Sequence, residues 1–230
     1  MINEVRNTVL AIANKQNFGY ITPSDFNLYA KQAQLDIFED YFYRYNEWVS
    51  KQNARMSGSG HADIVKNLEE VIDTFTDTAT LIDTNGPIFP LPDNYYLINT
   101  VMYGGKEIER VSNTKILNLL SSSLTTPTIQ WPAYYMEGSE IRVYPSSITS
   151  NVTMQYIRSP KDPKWTYATI VSGEPLFDQS NADYQDFELP ISDSPNLINK
   201  ILKYAGVSIR ENDVYQAAVN DETQETQKQG

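Results

Sequence analysis

The hydrophobic period of this chain changes twice, and these changes limit its possible folds more than any other feature. Apolar and aromatic residues recur every three or four positions from Phe26 to Trp48, as on one face of a helix. From Thr74 to about Ser159 the residues become β-branched and aromatic, with Gly and Pro between the runs. Helical spacing returns from Leu197 to Ile209. The pattern predicts an α+β fold, in which a helical bundle of N- and C-terminal helices carries a β-rich insertion and a long irregular arm.

Local signals divide the chain into three predicted parts. Residues 1-73 form N-terminal helices, residues 74-190 form the β-rich insertion with the irregular arm, and residues 191-230 form a C-terminal helix and an extended tail. The sequence Thr22-Pro23-Ser24-Asp25 favours a helix start, because a capping Thr precedes Pro at the first helical position. Tyr103-Gly-Gly-Lys106 and Glu137-Gly138-Ser139 favour hairpin turns. Several prolines mark the arm, which runs from Pro160 to Phe187.

The segment from Pro195 to Gly230 indicates an element longer than the fold itself requires. Ser194 caps and Pro195 fits the first turn of this helix. If helical throughout, the segment would span about 50 Å at ~1.5 Å per residue. From Asp213 onward its apolar residues lie near the start, and the rest is polar. We therefore expect this segment to reach a neighbouring molecule.

Composition excludes several classes of protein. The net charge is −11 and the 18 basic residues are scattered, which argues against a phosphate-binding surface. The acidic charge either keeps the protein soluble or lets nucleic acid pass without sticking. No apolar stretch is long enough for a membrane span, and the N-terminus does not resemble a signal peptide. The 16 tyrosines fit either subunit interfaces or half-buried positions at sheet edges.

The chain offers few groups for catalysis, so we predict that it is not an enzyme and needs no cofactor. Without cysteine it has no thiolate nucleophile, no disulfide and no cysteine-based metal site. The single histidine, His61, lies in a Gly/Ser sequence typical of a linker. The cluster from Asp178 to Asp186 lacks the spacing of a calcium-binding loop, so we predict no metal site, although cation binding there remains open.

Two other functions compete with a purely structural one. A carbohydrate-binding or adhesin module of a phage or bacterial surface would use aromatic rings to stack on sugars, and the candidates are Trp131, Tyr134, Tyr135 and Trp165. A hydrolase would need two carboxyl groups about 5 to 10 Å apart, and Glu137 with Glu140 near a hairpin turn is the candidate pair.

The order of elements resembles the head-to-tail connector, or adaptor, proteins of tailed bacteriophages. The resemblance covers nearly the whole chain: the N-terminal helix pair, the β-rich insertion opened by Leu91-Pro-Asp-Asn-Tyr95, and the C-terminal sequence. The most specific part is DFELPISDSPNLINKILKYAGVSIRENDVYQAAVNDETQETQKQG, which is similar to ring proteins of short-tailed crAss-like phages. The arm at 160–187 and the loop at 55–62 depart from the family pattern.

The resemblance implies a virion structural protein of the neck or tail, assembled in the bacterial host cytoplasm. Such proteins form a homo-oligomeric ring, a dodecamer, that binds the portal protein and other neck or tail rings, while genomic DNA passes through without sequence-specific binding. Carried over by position, the portal interface would contain Tyr204, Ile209, Val214, Tyr215 and Ala218. The subunit or tail interface would contain Tyr134, Tyr135, Tyr144, Trp165 and Tyr167.

Overall fold

The structure is a computed structural model that describes residues 1–15, 21–53, 62–84, 86–169 and 174–209. Its helices are α1 (Ile2–Lys15), α2 (Pro23–Asn53), α3 (Ala62–Asp73), α4 (Asn113–Leu120) and α5 (Ser194–Ile209), with a 3₁₀ turn at Ile191–Asp193. Among the described residues, ten strands lie between α3 and α5. The predicted α+β class is therefore confirmed. Among the described residues, no helix has the length and apolar character needed to cross a membrane.

The chain divides into two compact units. The helical unit contains Met1–Glu69 and Pro160–Gly230, and the β-rich unit contains Glu70–Ser159. The arm that begins at Pro160 belongs to the helical unit, which differs from its predicted grouping with residues 74–159. The reason is that its side chains and backbone bond to α1 and α2, as described below.

The long helix α2 begins where the capping sequence predicts. The Thr22 hydroxyl oxygen accepts a hydrogen bond from the Asp25 backbone N–H at 3.2 Å and donates to the Asp25 carboxylate at 2.6 Å. Pro23 occupies the first helical position, where a missing N–H removes no intrahelical bond. These local contacts depend on no distant part of the chain, so sequence alone could identify them.

The core of the helical unit lies where α5 packs against α1 and α2. Apolar residues at helical spacing on each of the three helices are buried. They are Ile2, Val5, Val9, Phe26, Ala30, Ala33, Ile37, Phe38, Leu197, Ile201, Leu202 and Ala205. Fully burying a large aliphatic or aromatic side chain contributes about 1.5–3 kcal/mol, so this cluster is a principal source of the unit's stability.

The apolar stripe of α2 is buried over a shorter length than its sequence predicts. Phe38 is the last buried residue among the described side chains of α2, and Tyr41, Phe42 and Tyr45 are only half-buried. The side chain of Trp48, which ends the predicted stripe, lies outside the described residues. The second half of the described helix thus keeps several aromatic rings partly in contact with solvent.

The β-rich unit contains two four-stranded sheets. One has the strand order β1 (Thr76–Leu81), β8 (Val152–Arg158), β3 (Tyr95–Tyr103) and β4 (Lys106–Glu107), with every pair antiparallel. The other has the order β2 (Ile88–Pro90), β7 (Glu140–Tyr144), β6 (Ala133–Glu137) and β5 (Glu109–Arg110). Residues from both sheets, including Val101, Ile141, Val143 and Met154, form one buried core.

Both predicted hairpins are present. Gly104 and Gly105 turn β3 into β4 with φ values of 56° and 81°, and Gly138 turns β6 into β7 with φ of 64°. These positive values favour glycine, which has no Cβ to clash with the backbone. The pairing of β5 with β6 is parallel and joins segments separated by α4, so no turn sequence could predict it.

Candidate interaction surfaces

Two of the five predicted portal residues belong to the described part of the chain. Tyr204 on α5 is half-buried, and its hydroxyl donates a hydrogen bond to the Asp36 carboxylate on α2. Ile209 is the last residue of α5, and its side chain is not among those described. Val214, Tyr215 and Ala218 lie outside the described residues. The portal interface therefore stays a prediction.

The five predicted subunit or tail residues occupy two separate places. In the β-rich unit, Tyr134 and Tyr135 are buried, and the Tyr135 ring stacks on Tyr144 with centroids 6.2 Å apart. Burial raises the pKa of both buried tyrosines, and for Tyr134 the nearby Arg110 partly offsets this. In the helical unit, Trp165 is buried and Tyr167 is 45% exposed. Of the five, Tyr167 thus offers the largest exposed fraction to a partner.

The arm is attached to the helical unit by a buried polar network around Trp165. Asn27 on α2 accepts a hydrogen bond from the Trp165 backbone N–H at 2.8 Å and donates to its carbonyl oxygen at 3.1 Å. The Trp165 indole N–H donates to Asn3 on α1 at 3.0 Å, and the Arg6 guanidinium lies 3.8 Å from its ring centroid. The ring also stacks with Phe177 of β10 (Pro175–Phe177), which pairs with β9 (Tyr167–Thr169).

Three aspartates of the arm are engaged in hydrogen bonds or an ion pair. Asp178 accepts from the backbone N–H and the hydroxyl of Ser180, at 2.9 and 2.6 Å. The Asp183 carboxylate pairs with Lys164 at 2.7 Å, which lowers its pKa. Asp186 accepts from the backbone N–H groups of Ile2 and Phe187, at 2.7 and 2.8 Å. In the described ranges, no three side chains of the kind that bind metal ions come together.

The carboxylate pair proposed for a hydrolase lies directly across a hairpin. Glu137 and Glu140 are register partners on β6 and β7, on either side of the turn at Gly138. Glu137 accepts from the Tyr135 hydroxyl at 3.2 Å and lies 3.5 Å from the Arg142 guanidinium. These contacts hold the Glu137 carboxylate in an ion pair at the end of the hairpin.

A group of exposed apolar side chains around α4 was not predicted as a surface, although one member, Trp131, was a candidate for stacking on sugars. In this part of the β-rich unit, Leu124 is 93% exposed and Trp131 is 81% exposed. We call this group the acid-free surface, because residues 111–136 contain neither Asp nor Glu. Its members are Leu117, Leu120, Leu124, Ile129 and Trp131.

The structure shows why these apolar side chains remain in solvent. α4 is capped by Ser112, whose hydroxyl accepts from the Lys115 backbone N–H at 3.2 Å, and the helix buries Ile116. Leu117 follows Ile116 by one position and so points to a different side, where it is exposed, whereas Leu120 lies one turn beyond Ile116 at the end of the helix and is only just exposed. Beyond α4 the chain makes short local turns, such as the bonds between Thr128 and Trp131, which hold Trp131 outside the core. The absence of acidic residues, read together with several Leu and Trp, was the available sequence signal.

A shallow depression adjoins this surface. It is lined by Arg110, Val111, Ser112, Asn113 and Met136, and Asn113 is the first residue of α4. All but Arg110 belong to the acid-free segment, and Arg110 adds a positive charge beside it. The Lys115 ammonium, which pairs with Glu109 at 2.9 Å, adds a second. Arg110 and the Lys115–Glu109 ion pair thus lie beside the exposed apolar side chains, and residues 111–136 add no acidic charge.

Comparison with known proteins adds no family to this description. The chain matches no protein-family model, and no curated protein matches it either.

Proposed function

We propose that this protein is a virion structural protein that forms an oligomeric ring in the neck or tail, beneath the portal. The ring connects head to tail and lines the passage for DNA. The resemblance to connector proteins supports this proposal through the order of elements and the C-terminal sequence. In that interpretation the N- and C-terminal helices form a bundle, the C-terminal helix docks toward the portal, and the protein is assembled in the cytoplasm of the bacterial host.

The acid-free surface is the observation that carries the proposal. Five large apolar side chains are exposed within residues 117–131. Exposed apolar side chains that are grouped rather than scattered commonly mark interaction sites, and these five come from one short stretch of the chain. Two copies of a chain with a net charge of −11 also repel each other over most of their surfaces. A surface without acidic residues is where a second molecule can approach with least repulsion.

The overall charge suits the passage of DNA. A lumen lined by acidic side chains repels phosphate groups, so the genome slides through instead of adhering to the wall. The described cations beside the acid-free surface are few, and the surface itself consists of apolar side chains. This arrangement favours protein–protein contact there over contact with DNA.

Mass measurement of the isolated protein with and without the portal protein tests the proposal. We expect an oligomer when the portal protein is present, and we expect Trp131→Ser with Leu124→Ser to reduce its formation. Deletion of residues 213–230 should abolish portal binding while the remaining chain stays folded, as judged by circular dichroism. Retained portal binding after the deletion, or an unchanged oligomer in the double variant, would contradict the proposal.

A carbohydrate-binding module remains the second candidate, because the Trp131 ring is mostly exposed and has no acidic neighbours in sequence. Exposed aromatic rings of this kind can stack on sugars. Tyr134, Tyr135 and Trp165 are buried and so offer little ring surface for the same purpose. This alternative predicts glycan affinity that Trp131→Ser removes, together with a chain that does not form a ring. A glycan-binding screen distinguishes the two functions.

A further inference from the structure

Charge indicates which part of a second copy would contact the acid-free surface. We infer that the acid-free surface of one copy contacts the acidic face of α2 on a second copy. We define the acidic face as Glu39, Tyr43 and Glu47. The inference rests on the proposed function, because it assigns the contact by which one copy would bind the next.

The acidic face combines two carboxylates with an aromatic ring. Its three residues lie four positions apart, so they share one side of the helix. All three are exposed, and Tyr43 is 69% exposed. They lie beyond Phe38, the last buried residue among the described side chains of α2. The first half of α2 has fully buried side chains. Among the described residues after Phe38, α2 has none.

The two surfaces complement each other in charge. The acidic face presents Glu39 and Glu47, whereas the acid-free surface has Lys115 and Arg110 beside it and no carboxylate within residues 111–136. Lys115 is about half exposed, and its ion pair with Glu109 is also largely exposed. Exposed ion pairs are weak, so this ammonium can also interact with a carboxylate of a second molecule.

They also complement each other in their apolar parts. The acid-free surface provides Trp131 and aliphatic side chains, and the acidic face provides the Tyr43 ring. Aromatic residues are enriched at the centre of protein interfaces, where they bury a large area, and charged residues are typical of the rim. Tyr43 between two carboxylates fits such an arrangement, with the ring at the centre and the charges around it.

The symmetry of a ring favours two different surfaces over one surface that binds itself. If the acid-free surface paired with its own copy, the contact would close at two molecules. A contact between two different surfaces leaves one of each available on every complex, so further copies can add until the ring closes. Pairing the acid-free surface with itself would also bring Lys115 of each copy toward the other.

Cysteine cross-linking of the full chain tests the contact, since the natural sequence contains no cysteine. Copies with Leu124→Cys are mixed with copies with Tyr43→Cys and treated with a short bismaleimide reagent. We expect a cross-linked dimer in the mixture and little in either variant alone. The matched control replaces Tyr43→Cys with Asn7→Cys, an exposed position on α1. A cross-link in Leu124→Cys alone, an equal yield with the control, or no cross-link in the mixture would overturn the inference.

Charge substitutions at Asn118, an exposed residue of α4, provide a second test. Asn118→Glu should weaken self-association about tenfold and Asn118→Lys should strengthen it, while Asn118→Gln leaves it unchanged, as measured by analytical ultracentrifugation. If Asn118→Lys weakens association, or if neither charge has an effect, the inference is wrong. A ring that still forms with the portal, without the cross-link and without these charge effects, would overturn this contact but leave the proposed function standing.

Discussion

Substitution of Asn27 by Ala should destabilise the helical unit, because one side chain satisfies both backbone groups of a buried residue. The Asn27 amide oxygen accepts from the Trp165 N–H at 2.8 Å, and the amide nitrogen donates to the Trp165 carbonyl at 3.1 Å. Trp165 is 2% exposed. In Asn27→Ala, the donor and the acceptor of Trp165 both lose this partner, and the shortened side chain leaves a gap between α2 and the arm.

The expected loss follows from the cost of unsatisfied buried groups. A buried donor or acceptor left without a partner costs about 1–3 kcal/mol, and water entering the gap recovers part of this. For the two groups together we expect the free energy of unfolding to fall by about 2–4 kcal/mol. This is a large fraction of the ~5–15 kcal/mol by which a typical domain is stable.

Urea unfolding followed by tryptophan fluorescence measures this loss, since Trp165 passes from a buried to an exposed state. The matched control is Gln32→Ala, which removes an amide from the same helix. The Gln32 amide donates to the Asp36 carboxylate at 3.0 Å, in an exposed hydrogen bond. We expect the control to change the free energy of unfolding by less than about 0.5 kcal/mol. Equal losses for the two variants would refute the argument that the Trp165 bonds hold the arm.

Three further predictions concern single positions. Gly105→Ala should lower the stability of the β-rich unit by about 1 kcal/mol in urea unfolding. The φ of Gly105 is 81° and an added Cβ would meet no other atom, so backbone strain is the expected cause. An unchanged unfolding midpoint would contradict this. Asp77→Ala should increase self-association in light scattering, relative to Asp83→Ala. Asp77 lies on the edge strand β1, where its carboxylate accepts from the Thr78 N–H at 2.8 Å, and a charged side chain on an edge strand hinders pairing with another strand. Burial alone would raise the pKa of Asp186, but hydrogen bonds from Ile2 and Phe187, with the Met1 amino group, hold it below the usual 3.8. The stability that Asp186 contributes is therefore complete above about pH 4 and is lost as the pH falls further, so Asp186→Asn should flatten the acid dependence of the unfolding midpoint.

The sequence predicted those parts of the fold that depend on neighbouring residues. The start of α2 follows from Thr22 and Asp25, which contact each other directly, and the two hairpins follow from glycines with positive φ. Contacts between distant segments were not predictable in the same way. The bonds from Asn27 to Trp165 join residues far apart in the chain, and no local pattern specifies that they meet.

Exposure was the other property that the sequence could not provide. An apolar residue at helical spacing is buried only if another element covers it, and among the described side chains of α2 full burial ends at Phe38 and only partial cover follows. Tyr134 and Tyr135 were predicted as contact residues and lie in buried positions. Leu124 was not predicted as a contact residue and is almost fully exposed. Identifying a surface from sequence requires knowing what packs on each face, and this depends on the whole fold.

The distribution of acidic residues indicates that the acid-free surface is retained for binding. Elsewhere the chain protects a surface that would otherwise adhere, because Asp77 occupies the edge strand β1. Charged side chains at such positions are a common means of preventing unwanted association. The same means was available around Leu124 and Trp131, yet residues 111–136 contain no carboxylate. A chain that needed only solubility would have little reason to leave two highly exposed apolar side chains without this protection, so we expect a single acidic substitution there to impair assembly without impairing folding.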